Sequence, residues 1–549
     1  MKLNIKPKKE ILSSMEPEKE DGNIEYKLKL MNITPERIER LATQMRYRCT
    51  EGGSECIYIL GVEDDGTMTG MTDDEYNSTI KCIQAAAQTN SYSVTQLTKN
   101  EVENKRYVYE VLVREKNTTE YIDVKVAVAG SVDSGKTSFL GVLTSGKKDN
   151  GRGSARLGVF NYPHEIQTGR TSSVGHQIVG YDNDGKNVSY HNDRMLSWPE
   201  IVKNSSKIIS FYDLAGHEKY LKTTIFGLSA SCPDLCIIMV AANRGVLRMT
   251  REHIFLCLTL GIPFCIIVTK IDMVQTNDKI LDETMTSINK ILKNPGVRKV
   301  PLKIKSEDDV IRAAIHLHTN TIVPIFTVSN TTLEGMDFMN KFLHLAPKKP
   351  FENSVDDVEM HIDLAWTVPS VGTVLGGHIK SGHIKIGDKL WFGPNNNNYT
   401  QVTVKSIHCK KVAVQEVDCG RYACLGLRGI TKQDFRKGNV IVSKKNQQIL
   451  CERVKAEVEV LQAHSTTIKE GYQPIMHALT VRTSCLIEKI ENKVSSRNDL
   501  TDEDKVLRAK DKATITLKLH MGKKYIKPNT NILLCEGRTK VIGRIIETF

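Results

Sequence analysis

Hydrophobic positions divide the 549-residue chain into three regimes. In the middle, short apolar runs at 124–129, 208–212, 235–241, 264–268 and 322–328 alternate with helix-compatible stretches. Most are continuous rather than alternating, the pattern of strands covered on both faces of a mostly parallel sheet. Ahead of them, 26–30 (YKLKL) alternates, 57–62 (IYILGV) reads as a strand, 64–66 as a turn, and 107–113 (YVYEVLV) alternates again. Thr34 before Pro35 marks a helix start, and 73–89 carries a helical pattern. That order predicts a small α/β domain with no catalytic constellation. After 351 the helical period fades. Runs such as 372–376 (GTVLG) and 384–388 (IKIGD) recur between Gly, Pro and Asn turns, as in two all-β modules. The Asn run 395–398 reads as a loop tip of little functional weight, and 492–512 as a charged surface insertion.

Composition changes this picture only at the margins. Hydrophobic residues make up 40% and charged residues 26%, an ordinary globular balance. No apolar run approaches the ~20 residues needed to span a bilayer, so no membrane role is expected. The opening MKLNIKPKKE lacks the apolar core of a secretion signal. Thirteen cysteines, with no CxxC pair, fit reduced thiols and a cytoplasmic location. The nearest pair, Cys232 and Cys236, lies in an apolar stretch and reads as burial more readily than as a metal site. Net charge is +12, and residues 351–549 carry 31 Lys and Arg against 22 Asp and Glu. A basic C-terminal third suits a phosphate-rich partner such as RNA, and ordinary solubility explains it equally well.

The chemistry is concentrated in the middle regime. Residues 130–137, GSVDSGKT, match GxxxxGK followed by Ser or Thr, directly after an apolar strand and before a helix-compatible run. Gly130, Val132, Asp133, Ser134, Gly135, Lys136, Thr137 and Ser138 would wrap nucleotide phosphates with backbone N–H groups and the positive end of a helix. Lys136 would reach the β- and γ-phosphates, and the Thr137 hydroxyl would ligate Mg²⁺. Residues 213–218, DLAGHE, follow the run at 208–212. Asp213 would hold Mg²⁺ through water, and the Gly216 N–H would sense the γ-phosphate. A phosphate cradle does not choose the base. Thr269, Lys270 and Asp272 of TKID, behind the run at 264–268, have the form of a guanine clamp. There the carboxylate accepts from the guanine N1–H and amine, and the Lys stem covers the ring. Val328-Ser-Asn330 resembles the last guanine-binding loop of GTPases, where Ser-Ala is usual, and Asn330 leaves the backbone N–H available.

Taken together, SVDSGKT, GRTSSVG, DLAGH, TREH (250–253) and TKID resemble the translational GTPases of the elongation factor Tu/1-alpha type. More closely, the chain resembles the eukaryotic GTP-binding protein 1/2 family, whose switch I is like HEIQTGRTSSVG (164–175) and which also writes DLAGH for DxPGH. The similarity continues in EYKLKL, GVEDDG (61–66) and LVRE (112–115), and in RGI (428–430) and FRKG (435–438). It extends through HSTTI (464–468), GYQP (471–474) and EGRTK (536–540), so it covers roughly 25–549. It implies a flexible tail (1–20), an N-terminal α/β domain (21–117), a P-loop GTPase domain (118–347) and β-barrel domains II (353–445) and III (450–549). It makes His217 the catalytic residue that orients the attacking water, and Thr171 the switch I ligand of Mg²⁺. The hydrophobic gate that restrains this His elsewhere has Val132 on one side, but Arg170 replaces its other half. Asp133 matches a position linked to a monovalent cation, and Arg170 and Arg251 are candidate arginine fingers by location alone. The implied cofactors are GTP/GDP and Mg²⁺, and the implied partners are the ribosome and aminoacyl-tRNA. A nucleotide-gated adaptor working with mRNA-decay or surveillance factors is the alternative.

Overall fold

The computed structural model describes residues 15, 17–19, 22–31, 34–103, 105–115, 121–160, 162–169, 171–191, 194–275, 278–294, 297–317, 319–349, 357–369, 371–461, 467–494, 506–520, 522–536 and 538–549. Most of the 1–20 tail, Arg170, His464 and the middle of the 492–512 insertion lie outside the described residues.

A seven-stranded sheet forms the middle of the molecule. Its order is Val300–Lys303, Ile322–Val328, Phe264–Thr269, Leu235–Ala241, Ile122–Gly130, Lys207–Asp213 and Gly175–Tyr181. All neighbours are parallel except Gly175–Tyr181, which runs antiparallel to Lys207–Asp213. Four inner strands are buried at every position, which explains their largely apolar sequences, with Asp123, Lys125, Lys207 and Ser210 among the buried polar exceptions. The two edge strands escape sequence patterning. Val300–Lys303 has four residues and no fully buried position, and Gly175–Tyr181 opens on Gly-His-Gln. Parallel strands require crossovers over the faces, here made by helices such as Lys136–Ser145, Leu221–Ser231 and Arg248–Leu260. The C-terminal strand ends therefore share one edge, where the loops at 130–135, 213–217, 269–272 and 328–330 gather.

The N-terminal domain is a four-stranded sheet in the order Ile24–Lys27, Glu55–Leu60, Arg106–Glu115 and Tyr92–Glu103, with helices Pro35–Glu51 and Asp73–Thr89. The first strand ends before Leu30 because the Leu30 N–H leaves the ladder for Thr79 Oγ1 at 3.0 Å. The second stops at Leu60, before Gly61 turns with φ +90°. The sheet face bearing Ile57, Ile59 and Leu112 shares one hydrophobic cluster with Val310, Ala314, Phe342 and Leu343 of the central domain. Within that contact, Glu55 accepts from Arg114 at 2.9 Å and from Lys207 Nζ at 2.9 Å, with all three side chains buried. Burial pulls the Lys207 pKa down to about 8, against the pull of Glu55.

Two closed barrels follow. The first joins Lys389–Asn395, Val440–Val442, Glu359–Val368, Gly372–Ser381, Tyr422–Arg428 and Asn398–Cys409, which pairs back to Lys389–Asn395. The second joins Arg453–Val460, Lys512–Leu519, Val481–Val494, Ile475–Ala478, Asn531–Glu536 and Arg538–Thr548. In Arg453–Val460 every second side chain points inward, as closure demands. The Asn run is a two-residue hairpin with positive φ at Asn396 and Asn397. It does more than turn the chain, because Asn397 Oδ1 accepts from the Lys523 N–H of the second barrel at 2.9 Å. Both barrels also seat against the central domain. Lys410 Nζ reaches Asp123 at 2.8 Å, Tyr212 Oη meets His378 Nε2 at 3.2 Å, and Ser229 Oγ donates to the Leu479 carbonyl at 3.0 Å.

Candidate functional site

The cradle begins where the strand Ile122–Gly130 stops. Positive φ at Asp133 (60°) and Gly135 (84°) folds the loop back so that Lys136–Ser145 starts at once as a helix. The first N–H groups of that helix have no intrahelical acceptor and make an anion site with the helix dipole. Lys136 lies buried across the loop, its Nζ donating to the carbonyls of Gly130 at 3.0 Å and Ser131 at 2.9 Å. Burial lowers its pKa, while Asp213 and then Asp133 oppose the shift. Ser134 Oγ closes the turn onto the Ser131 carbonyl at 2.8 Å. Ser131 Oγ meets Thr250 Oγ1 at 3.1 Å, which anchors the loop to the TREH helix, Arg248–Leu260.

One cleft runs along this loop. Val132, Asp133, Gly135, Lys136, Thr137 and Ser138 line it from the P-loop and its helix, together with Arg156, Gly169, Thr171, Gly216 and His217. Three segments distant in sequence meet on its floor. Thr137 Oγ1 lies 2.7 Å from Asp213 Oδ2 and 2.9 Å from Thr171 Oγ1, and Thr171 Oγ1 lies 3.3 Å from Asp213 Oδ2. The other carboxylate oxygen, Asp213 Oδ1, is buried without a hydrogen-bond partner among the described residues. Burial raises the Asp213 pKa, and Lys136 chiefly opposes it. A cation would relieve both penalties. Two hydroxyls and one carboxylate, all hard oxygen donors, fit Mg²⁺ completed by phosphate and water. Among the described residues no group of three His, Cys, Asp or Glu side chains is arranged to hold a metal.

Gly216 and His217 border the same floor. A Cβ on Gly216 would come within 2.6 Å of the Gly130 carbonyl, so this close approach of switch loop to P-loop requires glycine. His217 is half-buried and caps the short turn Glu218–Tyr220, its Nδ1 accepting from the Lys219 N–H at 3.1 Å. That bond leaves Nε2 as the proton-bearing nitrogen of the neutral ring. Val132 lines the cleft with it.

The loops at 269–272 and 328–330 join the P-loop. Thr269 Oγ1 donates to the Ser134 carbonyl at 2.8 Å, fastening TKID to the P-loop. Lys270 sits in the left-handed region, φ 60°, and Asp272 Oδ1 accepts from Ser329 Oγ at 2.7 Å. Asn330, in the slot where Ala is usual, has its amide nitrogen in ordinary contact range of where a Gly135 Cβ would stand. Its carbonyl accepts from the Asp149 N–H at 2.9 Å. Among the described residues, those predicted to bind nucleotide or metal, together with His217, thus fall on this edge. Arg251 is instead exposed on its helix.

Three residues that were not among the predicted site residues also shape the site. Glu165 is buried, and its Oε1 accepts from Ser172 N–H at 2.8 Å and Ser173 N–H at 3.2 Å, fixing the segment after Thr171. Asp149 receives the N–H groups of Gly153 at 3.2 Å and Ala155 at 3.0 Å. Arg156 enters the cleft. The acidic residue within HEIQTGRTSSVG was the only signal in sequence for Glu165. Nothing local marks the other two.

Comparison with known proteins follows the same lines. The Elongation factor Tu GTP binding domain matches residues 123–363, Elongation factor Tu domain 2 matches 372–442, and the Elongation factor Tu C-terminal domain matches 448–530. The chain is 40% identical over 545 residues to GTP-binding protein 2 of Homo sapiens, spanning 97% of this chain and 88% of that one. It is 38% identical over 529 residues to GTP-binding protein 1 of Xenopus laevis, spanning 96% and 78%. Among solved structures, translation elongation factor SelB from Methanococcus maripaludis with the GTP analogue GppNHp is similar in fold. The TM-score is 0.55 at 18% identity, covering 78% of this chain and 80% of that one.

Proposed function

The chain belongs to the GTP-binding protein 1/2 family, with the GTPase domain and both following domains of elongation factor Tu, and from that premise we propose a GTP-driven switch that acts on ribosomes together with aminoacyl-tRNA. It binds and hydrolyses GTP. The cytosol is its proposed place of action. The translation factor named among its structural neighbours points the same way.

One observation carries the switch reading. Tyr212, which holds His378 of the first barrel, immediately precedes Asp213. A change at the nucleotide is therefore one residue from a barrel contact. In the proposed cycle, Lys136 and the P-loop N–H groups bind the phosphates, and Asp272 with Ser329 reads guanine. Thr137, Thr171 and Asp213 would hold Mg²⁺, which neutralises charge on the phosphate oxygens. Asp133 would share a monovalent cation there. Thr171 and the Gly216 N–H report the γ-phosphate, and His217 orients the water once the ribosome has positioned it. Loss of phosphate then frees Thr171 and Asp213, and the barrels loosen.

Sedimentation with ribosomes tests this directly. With GppNHp and aminoacyl-tRNA the protein should pellet with ribosomes, and with GDP it should stay in the supernatant. Equal pelleting in both nucleotide states removes the switch and leaves a nucleotide-indifferent adaptor.

Base choice has its own test. Asp272→Asn exchanges a charged acceptor for an amide and should lower GTP affinity about 100-fold, from roughly 3 kcal/mol in two charge-assisted hydrogen bonds. XTP should bind the variant more tightly than GTP. Unchanged GTP affinity in a fluorescent-nucleotide titration would show that Asp272 does not read the base.

A further inference from the structure

The residues lining the cleft include one arginine, Arg156, which no motif marks. Its position is built rather than incidental. Arg156 lies in the short 3-10 turn Ala155–Gly158. That turn is pressed onto the P-loop helix, where a Cβ on Gly141 would come within 2.1 Å of the Ala155 carbonyl. Its entry is fixed by Asp149, whose carboxylate takes the N–H groups of Gly153 and Ala155, and whose own N–H is held by the guanine loop at Asn330. The guanidinium then passes between two glycines. A Cβ on Gly153 would stand 2.5 Å from Arg156 Nε, and one on Gly169 2.9 Å from its terminal nitrogen. Arg156 Nη1 donates to the Gly169 carbonyl at 3.2 Å. Gly169 lies two residues before Thr171, so the charge sits where switch I crosses the phosphate path.

We propose that Arg156 is a catalytic arginine supplied in cis, stabilising the charge that develops on the γ-phosphoryl group during hydrolysis. The inference rests on the reading of this cleft as the GTP-hydrolysing site. In the step concerned, the water oxygen forms a bond to Pγ and the Pγ–O bond to the β–γ bridge breaks. GDP leaves with the bonding electron pair, and the water's proton passes to the phosphate product. Charge grows on the bridging and equatorial oxygens, and a planar guanidinium can donate to two of them at once. One Arg156 nitrogen would stay on Gly169, so the same side chain links closure of switch I to chemistry.

Single-turnover hydrolysis by the full chain, with nucleotide affinities measured alongside, provides the test. Arg156→Ala should slow hydrolysis about 100-fold while GppNHp affinity stays within threefold. Affinity for GDP with aluminium fluoride, which mimics the transferred group, should fall at least 30-fold. Millimolar guanidinium should restore part of the rate. Arg156→Lys, which keeps charge and stem but loses the fork, should lie between the two, about tenfold slow, and guards against misfolding of the alanine variant. Hydrolysis within threefold of wild type in Arg156→Ala overturns the proposal. So does an equal loss of GppNHp and aluminium fluoride affinity, which would make Arg156 a prop for switch I. Lys136→Ala serves as the control: if it turns GTP over at the wild-type rate, the reading of the cleft itself has failed.

Discussion

Lys136→Ala should weaken GTP binding about 1,000-fold and leave the protein folded. The side chain already spans the loop, held by the Gly130 and Ser131 carbonyls, so little ordering entropy opposes its contact with phosphate. Two charge-assisted hydrogen bonds at roughly 2 kcal/mol each account for a factor of about 1,000. A second consequence is less obvious. Burial raises the pKa of Asp213, and the Lys136 charge is the foremost influence holding it down. Removing that charge makes the carboxylate easier to protonate and weakens the cation site as well. The loss should therefore be larger in Mg²⁺ than in EDTA, and should grow as pH falls. Fluorescent-nucleotide titrations in both buffers measure it, with thermal denaturation as the check on folding. An affinity within threefold of wild type would remove Lys136 from phosphate binding.

The strands that carry the site were legible because burial on both faces leaves only apolar residues, as in Leu235–Ala241. Each of those strands ends at a motif, so the loops at 130, 213, 269 and 328 could be placed in order along one sheet edge. Two edge strands were not legible. Tyr92–Glu103 is an outer strand whose lysine, asparagine and glutamates read as loop, and Val300–Lys303 is too short for a period to show. Within the site, the motifs name residues that touch phosphate, metal or base. They do not name those that act through tertiary contact. Glu165 works by collecting N–H groups seven and eight residues away, and Asp149 by joining two loops nearly 180 positions apart in sequence. Such pairings leave no local pattern. Arg156 depends on both kinds of support, and the sequence offered Arg170 and Arg251 in its stead.

His217→Ala should lower ribosome-stimulated hydrolysis about 1,000-fold, within the range for a residue that positions or takes a proton, while nucleotide affinity stays within threefold. His217→Gln decides between those two roles. With Nδ1 occupied by the Lys219 N–H, the neutral ring presents Nε2–H as its remaining donor. A donor can fix the oxygen of the attacking water but cannot accept its proton without a change of tautomer. Glutamine also offers a donor N–H at the end of a flexible arm, and some GTPases orient water with that residue. If His217 works by orientation, Gln should retain activity about tenfold below wild type, far above Ala. If it works as a base, Gln and Ala should fall together, because the amide cannot take a proton. Rapid-quench measurement of GTP cleavage on ribosomes separates the cases. The side chain is half-buried and lines the same cleft as Val132, so both variants also report on the proposed gate. Where only Val132 restrains it, Val132→Gly should raise the ribosome-free rate of wild type yet leave that of His217→Ala unchanged.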